Sequence, residues 1–285
     1  MLKKEDKQPI HSVTEPRAVA TGSNIQLALS CILTSVEYRI RSLPLAVLYL
    51  SFRGWCPRRR SSKAMNATGN VRVKICCMGS VAEAQMAIDH GASAVGLVSE
   101  MPSGPGPISE NLIAEIAATI PPGVGSFLLT SKQDVASIID QQRRLRVNTI
   151  QICDRLESGR HQDLRTALPG ISLVQVIHVN GPESVAEALS VAPLVDALLL
   201  DSGNQSLAIK ELGGTGRTHD WTFSRRIREA SSIPIFLAGG LNAGNVAEAI
   251  RQVGPFGVDV CSGLRTNGKL DEAKLASFFR SIPPK

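Results

Sequence analysis

From Val71 onward, short β-branched apolar runs return about every 25 residues, and this beat constrains the fold more than any other feature. The runs are VRVKIC (71–76), AVGLVS (94–99), VGSFLL (124–129), TIQIC (149–153), LVQVIHV (173–179), ALLLD (197–201), IPIFLAG (233–239) and GVDVCSG (257–263). Between them lie stretches such as SVAEAQMAIDHG, SENLIAEIAATI and GPESVAEALSVA, whose apolar residues recur at spacings of three and four, as in a helix with one buried face. Ser80 and Ser109 stand where N-caps belong, and Gly91 ends the first helical stretch. Strict strand–helix alternation implies parallel strands joined by right-handed crossovers. Eight such units fit a closed (βα)8 barrel of the TIM type better than an open doubly wound sheet. The first strand–helix turn, CCMGS, also lacks the G-x-G-x-x-G of a dinucleotide site.

The beat leaves residues 1–69 unassigned. They have no clean period, and their one apolar run, LPLAVLYLSF (43–52), is too short for a membrane span, which needs about twenty apolar residues. The order of charges, apolar run and cleavage site does not follow a secretory signal, and a targeting or membrane-surface peptide is the weaker competing reading. The expectation is an irregular basic N-terminal extension, disordered or read from too early a start, followed by a barrel over residues 70–285. Charge divides the same way. Residues 1–64 hold eleven Lys/Arg against four Asp/Glu, whereas 65–285 hold twenty against twenty-one, so +7 and −1 make the net +6. The barrel itself therefore has no basic bias to suggest nucleic acid. Six cysteines without regular spacing do not form a secreted disulfide framework, which points to a reducing, cytoplasmic setting.

In a (βα)8 barrel the chemistry gathers at the C-terminal ends of the strands. That rule selects Cys76 and Cys77, Cys153 and Asp154, His178, Asp201, Gly239 and Gly240, and Cys261 to Gly263. LAGGLNAGNV, with a helix expected from about Ala243, and VCSGLRTNG place glycines and helix starts after strands seven and eight, where barrels commonly hold phosphate. The longest loop, SGNQSLAIKELGGTGRTH (202–219), follows strand six and has the make-up of a lid. Alternation along strand one puts Lys74 on the same face as Cys76 and turns Cys77 away into packing. His219 reads as an exposed histidine beside a phosphate loop, and Asp220 and Trp221 as an N-cap and a packed first-turn residue.

KIC (74–76), DALLLDS (196–202), GGTGRTHDW (213–221), FLAGGLNAGNVAEAI (236–250) and GVDVCSG (257–263), in this order, resemble phosphoribosylanthranilate isomerase of the tryptophan pathway. The resemblance spans essentially all of 71–283. It implies a barrel that performs an Amadori rearrangement with no metal or cofactor, on a phosphorylated sugar, as a monomer or homodimer. It makes Cys76 the general base and Asp201 the general acid. Gly213, Gly214, Gly239, Gly240, Ser262 and Gly263 become the substrate- and phosphate-binding set. A thiolate favoured by neighbouring positive charge can take a carbon-bound proton near neutral pH.

This chain also departs from the family pattern. Cys77 replaces the glycine that follows the catalytic cysteine, and QICD replaces QLHG after strand four. Gly106 falls where an arginine reads the anthranilate carboxylate, and Arg265 replaces a glutamate after strand eight. The expectation is that Arg265 substitutes as the carboxylate-reading cation and that Gly106→Arg restores the family arrangement. Two other readings compete: an isomerase acting on another amine-bearing sugar phosphate, and a non-catalytic sugar-phosphate binder, which would need neither Cys76 nor Asp201. A zinc site from Cys76, Cys153, Cys261 and His219 lacks suitable spacing.

Overall fold

The computed structural model describes residues 70–284; the N-terminal extension expected over 1–69 lies outside them. Eight parallel strands close in sequence order: β1 (Arg72–Ile75), β2 (Ala94–Val98), β3 (Gly125–Thr130), β4 (Thr149–Ile152), β5 (Ser172–His178), β6 (Ala197–Asp201), β7 (Ile235–Leu237) and β8 (Gly257–Val260). Each expected run holds one strand. β7 is shorter than its run because the paired glycines turn the chain soon after Leu237.

The crossovers are helices α1 (Val81–Asp89), α2 (Glu110–Thr119), α3 (Val135–Leu145), α4 (His161–Ala167), α5 (Glu183–Val191), α6 (Trp221–Ala230) and α7 (Val246–Val253), with α8 (Glu272–Ser281) closing the ring. Ser80, Ser109 and Asp220 cap α1, α2 and α6 by accepting backbone N–H groups, as their side-chain chemistry suggests. α7 starts at Val246, not near Ala243, because residues 243–245 form a turn in which Asn245 and Val246 donate to the Asn242 carbonyl. After β8 a short antiparallel pair, β9 (Arg265–Thr266) and β10 (Lys269–Leu270), turns at Asn267 and Gly268, both at positive φ. None of the helices among the described residues is long and apolar enough to cross a membrane.

Strand alternation produces two cores. Ile75, Val95, Leu97, Leu128, Ile150, Leu198 and Val258 face outward and pack under the helices. Cys76, Phe127, Leu129, Cys153, Val174, Val176, Leu199 and Phe236 face inward and fill the barrel. Phe236 meets Phe127 edge-on at 5.9 Å between ring centres, and a side chain at Gly257 would strike Phe236. At Gly96 an added Cβ would lie 2.7 Å from the Cys76 sulfur. Missing side chains on β2 and β8 thus make room for the inward residues of β1 and β7.

Candidate active site

β1 sends Lys74 and Cys76 inward, one above the other. The β1–β8 register sets Lys74 beside Asp259, and the lysine ammonium reaches that carboxylate at 2.7 Å. It also donates to the Cys76 sulfur at 3.6 Å and stands 5.3 Å over the Phe127 ring. Lys74 is wholly buried. Burial works against its charge, but Asp259 and Cys76 together outweigh burial and hold its pKa above the ordinary lysine range. A fixed cation therefore sits directly beneath the expected base.

Asp201 ends β6. Its Oδ1 accepts the Ser202 N–H at 2.7 Å, and Gly213 of the following loop packs so close that a Cβ there would lie 2.6 Å from Oδ2. Burial pushes the Asp201 carboxyl up, against the Ser202 N–H and the charges of His178 and Lys74. A raised pKa is the direction of shift that a general acid needs.

Cys76 and Asp201 both wall one cavity of about 70 Å3 at the C-terminal mouth of the barrel. Gly213, Gly214, Gly239, Gly240 and Ser262 share that wall, as the sequence reading expects. Loops after β2, β6 and β7 complete the wall. Gly239 and Gly240 are at positive φ, and a Cβ on Gly240 would meet the Arg217 and Thr218 backbone at under 3 Å. The loop after β6 also reaches the loop after β2: Ser103 Oγ donates to the Lys210 carbonyl at 2.6 Å, and Gly214 abuts Pro105. These two loops roof the cavity.

Four expectations need correction. Gly263 does not line the cavity but stands behind it, where a Cβ would run into the Leu241 carbonyl. Arg265 does not line it either, because its guanidinium is engaged by Glu83 at 3.1 Å, the Gly268 carbonyl and the carbonyls of Cys76 and Cys77. It braces the first loop and is not free to read a carboxylate. His219 is half-buried rather than exposed, with Nε2 at 2.6 Å from Ser224 Oγ. Cys77 does not turn away into packing: its φ of 65° breaks the strand alternation and brings its side chain to the cavity wall.

Gly106 and Cys77, two of the positions singled out in the sequence, meet in the structure. The φ of Gly106 is +93°, and a Cβ there would fall 2.5 Å from Cys77 Cβ. A side chain at 106 and a side chain at 77 exclude each other. Among the wall residues that the sequence did not single out are Gln151 and Asp259. Each has a buried side-chain oxygen without a partner among the described residues, and each faces inward by simple alternation from Cys153 and Cys261. None of the residues lining the cavity is a lysine or arginine.

The model of the family described as N-(5'phosphoribosyl)anthranilate (PRA) isomerase matches residues 73–281. This chain belongs to the phosphoribosylanthranilate isomerase family. It is 36% identical over 210 residues to N-(5'-phosphoribosyl)anthranilate isomerase 2 of Methanosarcina mazei, an alignment covering 73% of this chain and 92% of that protein. Among solved structures it resembles a phosphoribosylanthranilate isomerase in complex with reduced 1-(o-carboxyphenylamino)-1-deoxyribulose 5-phosphate. The identity is 27% and the TM-score 0.60, over 74% of this chain and 98% of the other. It also resembles monomers of the dimeric Thermotoga maritima isomerase at 26% identity and a TM-score of 0.61, with the same coverage. The family places the chain among aldose–ketose isomerases.

Proposed function

We infer that this chain converts N-(5'-phosphoribosyl)anthranilate to 1-(2-carboxyphenylamino)-1-deoxyribulose 5-phosphate, a step of tryptophan biosynthesis, with Asp201 as general acid and Cys76 as general base. Substrate and product are isomers, so only protons and bonding electrons move. Asp201 gives its proton to the ribose ring oxygen, and the C1–O bond breaks as the nitrogen lone pair forms a C1 iminium. Cys76 then takes the proton from C2, the electrons of that bond neutralise the iminium, and the resulting enol tautomerises to the ketone. Lys74 offsets the negative charge that a phosphorylated sugar brings toward a thiolate. The turns at Gly239–Gly240 and at Ser262, with the Gly213–Gly214 segment over them, present backbone to the phosphate.

The observation that carries this reading is that Cys76 and Asp201, from β1 and β6, wall the same cavity as the phosphate-side glycines. A pure sugar-phosphate binder would need neither group. Cys76→Ala and Asp201→Asn should each lower turnover by ~10²–10⁴-fold with unchanged circular dichroism. Each should also fail to rescue a tryptophan auxotroph lacking this isomerase, which the unaltered chain should rescue. Near-normal turnover in either variant removes that residue from the mechanism.

A further inference from the structure

Cys77 and Cys261 are not used by the acid–base reaction, yet their sulfurs lie 2.6 Å apart at the cavity wall. The barrel register brings them there. Ile75 pairs with Val260, and Cys76 N–H donates to the Val260 carbonyl, so the chain ends leaving β1 and β8 run side by side. The left-handed backbone at Cys77 then turns its thiol toward β8 instead of under the helices. Both cysteines are free thiols. A disulfide has its sulfurs at about 2.05 Å, so closure asks for roughly half an ångström of approach.

We propose that Cys77 and Cys261 form a redox-active dithiol at the barrel mouth, a site that reacts with a small-molecule disulfide and closes to an intrachain disulfide while leaving Cys76 a free thiol. Cys261 is the attacking sulfur. It is the more exposed of the two, and its pKa is lowered by the hydrogen bond it shares with Cys77 and, against burial, by the nearby Arg265. Cys77 is the resolving sulfur, its thiol pushed well up by the contacts with Cys261 and Cys76 and by burial. The steps balance. The Cys261 thiolate attacks one sulfur of the disulfide R–S–S–R, forming Cys261–S–S–R and expelling RS⁻. That thiolate takes the Cys77 proton. The Cys77 thiolate then attacks the Cys261 sulfur and expels a second RS⁻, which is protonated from solvent. The protein dithiol is oxidised by two electrons and the small disulfide is reduced to two thiols. Cys76 lies deeper, nearly fully buried and held by Lys74, so an incoming disulfide meets Cys261 first.

The test is cystamine treatment of the full chain, followed by alkylation and peptide mapping of every cysteine. The expected product links the Cys77 and Cys261 peptides, is lighter by two hydrogens, carries no cysteamine, leaves Cys76 open to alkylation and reverts with dithiothreitol. Cys77→Gly should trap the first step as a stable cysteamine adduct on Cys261, and Cys261→Ser should abolish the cross-link. A Cys76–Cys77 link, an unresolved adduct on Cys261 in the unaltered chain, or no reaction under conditions that oxidise the urea-unfolded chain would each overturn the proposal. These readouts do not depend on isomerase activity, so they stand or fall apart from the reaction assigned above.

Discussion

His219 sits beside Gly239 with its Nδ1 buried and unpartnered among the described residues, and burial lowers its pKa to about 4 despite the opposing charge of Asp220. The unfolded chain takes up this proton near pH 6.5, so between the two values the unfolded state binds more protons than the folded one. Stability should therefore fall as pH drops from 6.5 toward 4, by up to about 3 kcal/mol from this residue alone. Urea unfolding at pH 7 and pH 5 should show His219→Gln losing less stability than the unaltered chain; parallel losses would remove His219 as the source. The second residue-scale effect is the exclusion between positions 77 and 106. Gly106→Arg alone combines a strained φ with a collision against Cys77, and should cost more than about 2 kcal/mol. Adding Cys77→Gly removes the collision but not the strain, so the pair should show a favourable coupling of about 1 kcal/mol or more in a double-mutant cycle. Purely additive losses would mean that the two side chains do not compete.

At the scale of elements, the eight strands were legible because β-branched runs recur between helical periods, and the meeting of Cys76 and Asp201 at one cavity was legible because inward strand ends converge at the barrel mouth. What was missed has physical reasons. The partner of Lys74 is Asp259, 185 residues away in sequence, and only closure of β1 on β8 joins them. The orientation of Cys77 was misread because alternation assumes a continuing strand, and a positive φ ends it. The β9–β10 hairpin had a signal in Asn267–Gly268, a favoured pair for tight hairpin turns, which lay unused inside a loop read for phosphate. Loop-to-loop packing has no sequence signature at all, and it is what Gly240 tests. Gly240→Ala faces both left-handed strain and the Arg217–Thr218 backbone, whereas Gly170→Ala, at φ +87° with nothing within 4 Å, faces strain alone. The expected costs are about 1–2 kcal/mol for Gly170→Ala and 1–3 kcal/mol more for Gly240→Ala. Gly240→Ala should also weaken competitive inhibition by inorganic phosphate, which Gly170→Ala should leave alone. Equal costs and equal inhibition would remove Gly240 from the proposed phosphate site.

At the scale of the molecule, residues 70–284 close on themselves. β1 pairs with both β2 and β8, the Lys74–Asp259 pair spans the β1–β8 contact, and the α8 residue Phe279 returns to pack by Gly91 next to α1. Both strand faces are packed by the inner and outer clusters described above. The aligned part of this chain also covers 92% of the Methanosarcina mazei relative's length. We propose that a chain of residues 65–285, starting at Met65, contains all that the barrel and its active site need. It should unfold within about 0.5 kcal/mol of the full chain. Its kcat/KM for phosphoribosylanthranilate should match that of the full chain at moderate salt. One property should differ. Removing the basic segment takes the net charge from +6 to −1, so any electrostatic help that the full chain gives to capture of the anionic substrate disappears with it. That help is screened as ionic strength rises, since the Debye length is about 10 Å at 0.1 M salt. The two chains should thus diverge in kcat/KM only at low salt, with the full chain faster, and converge as salt is added. A shortened chain that is several kcal/mol less stable, or inactive at every ionic strength, would show that the barrel depends on the segment before Met65.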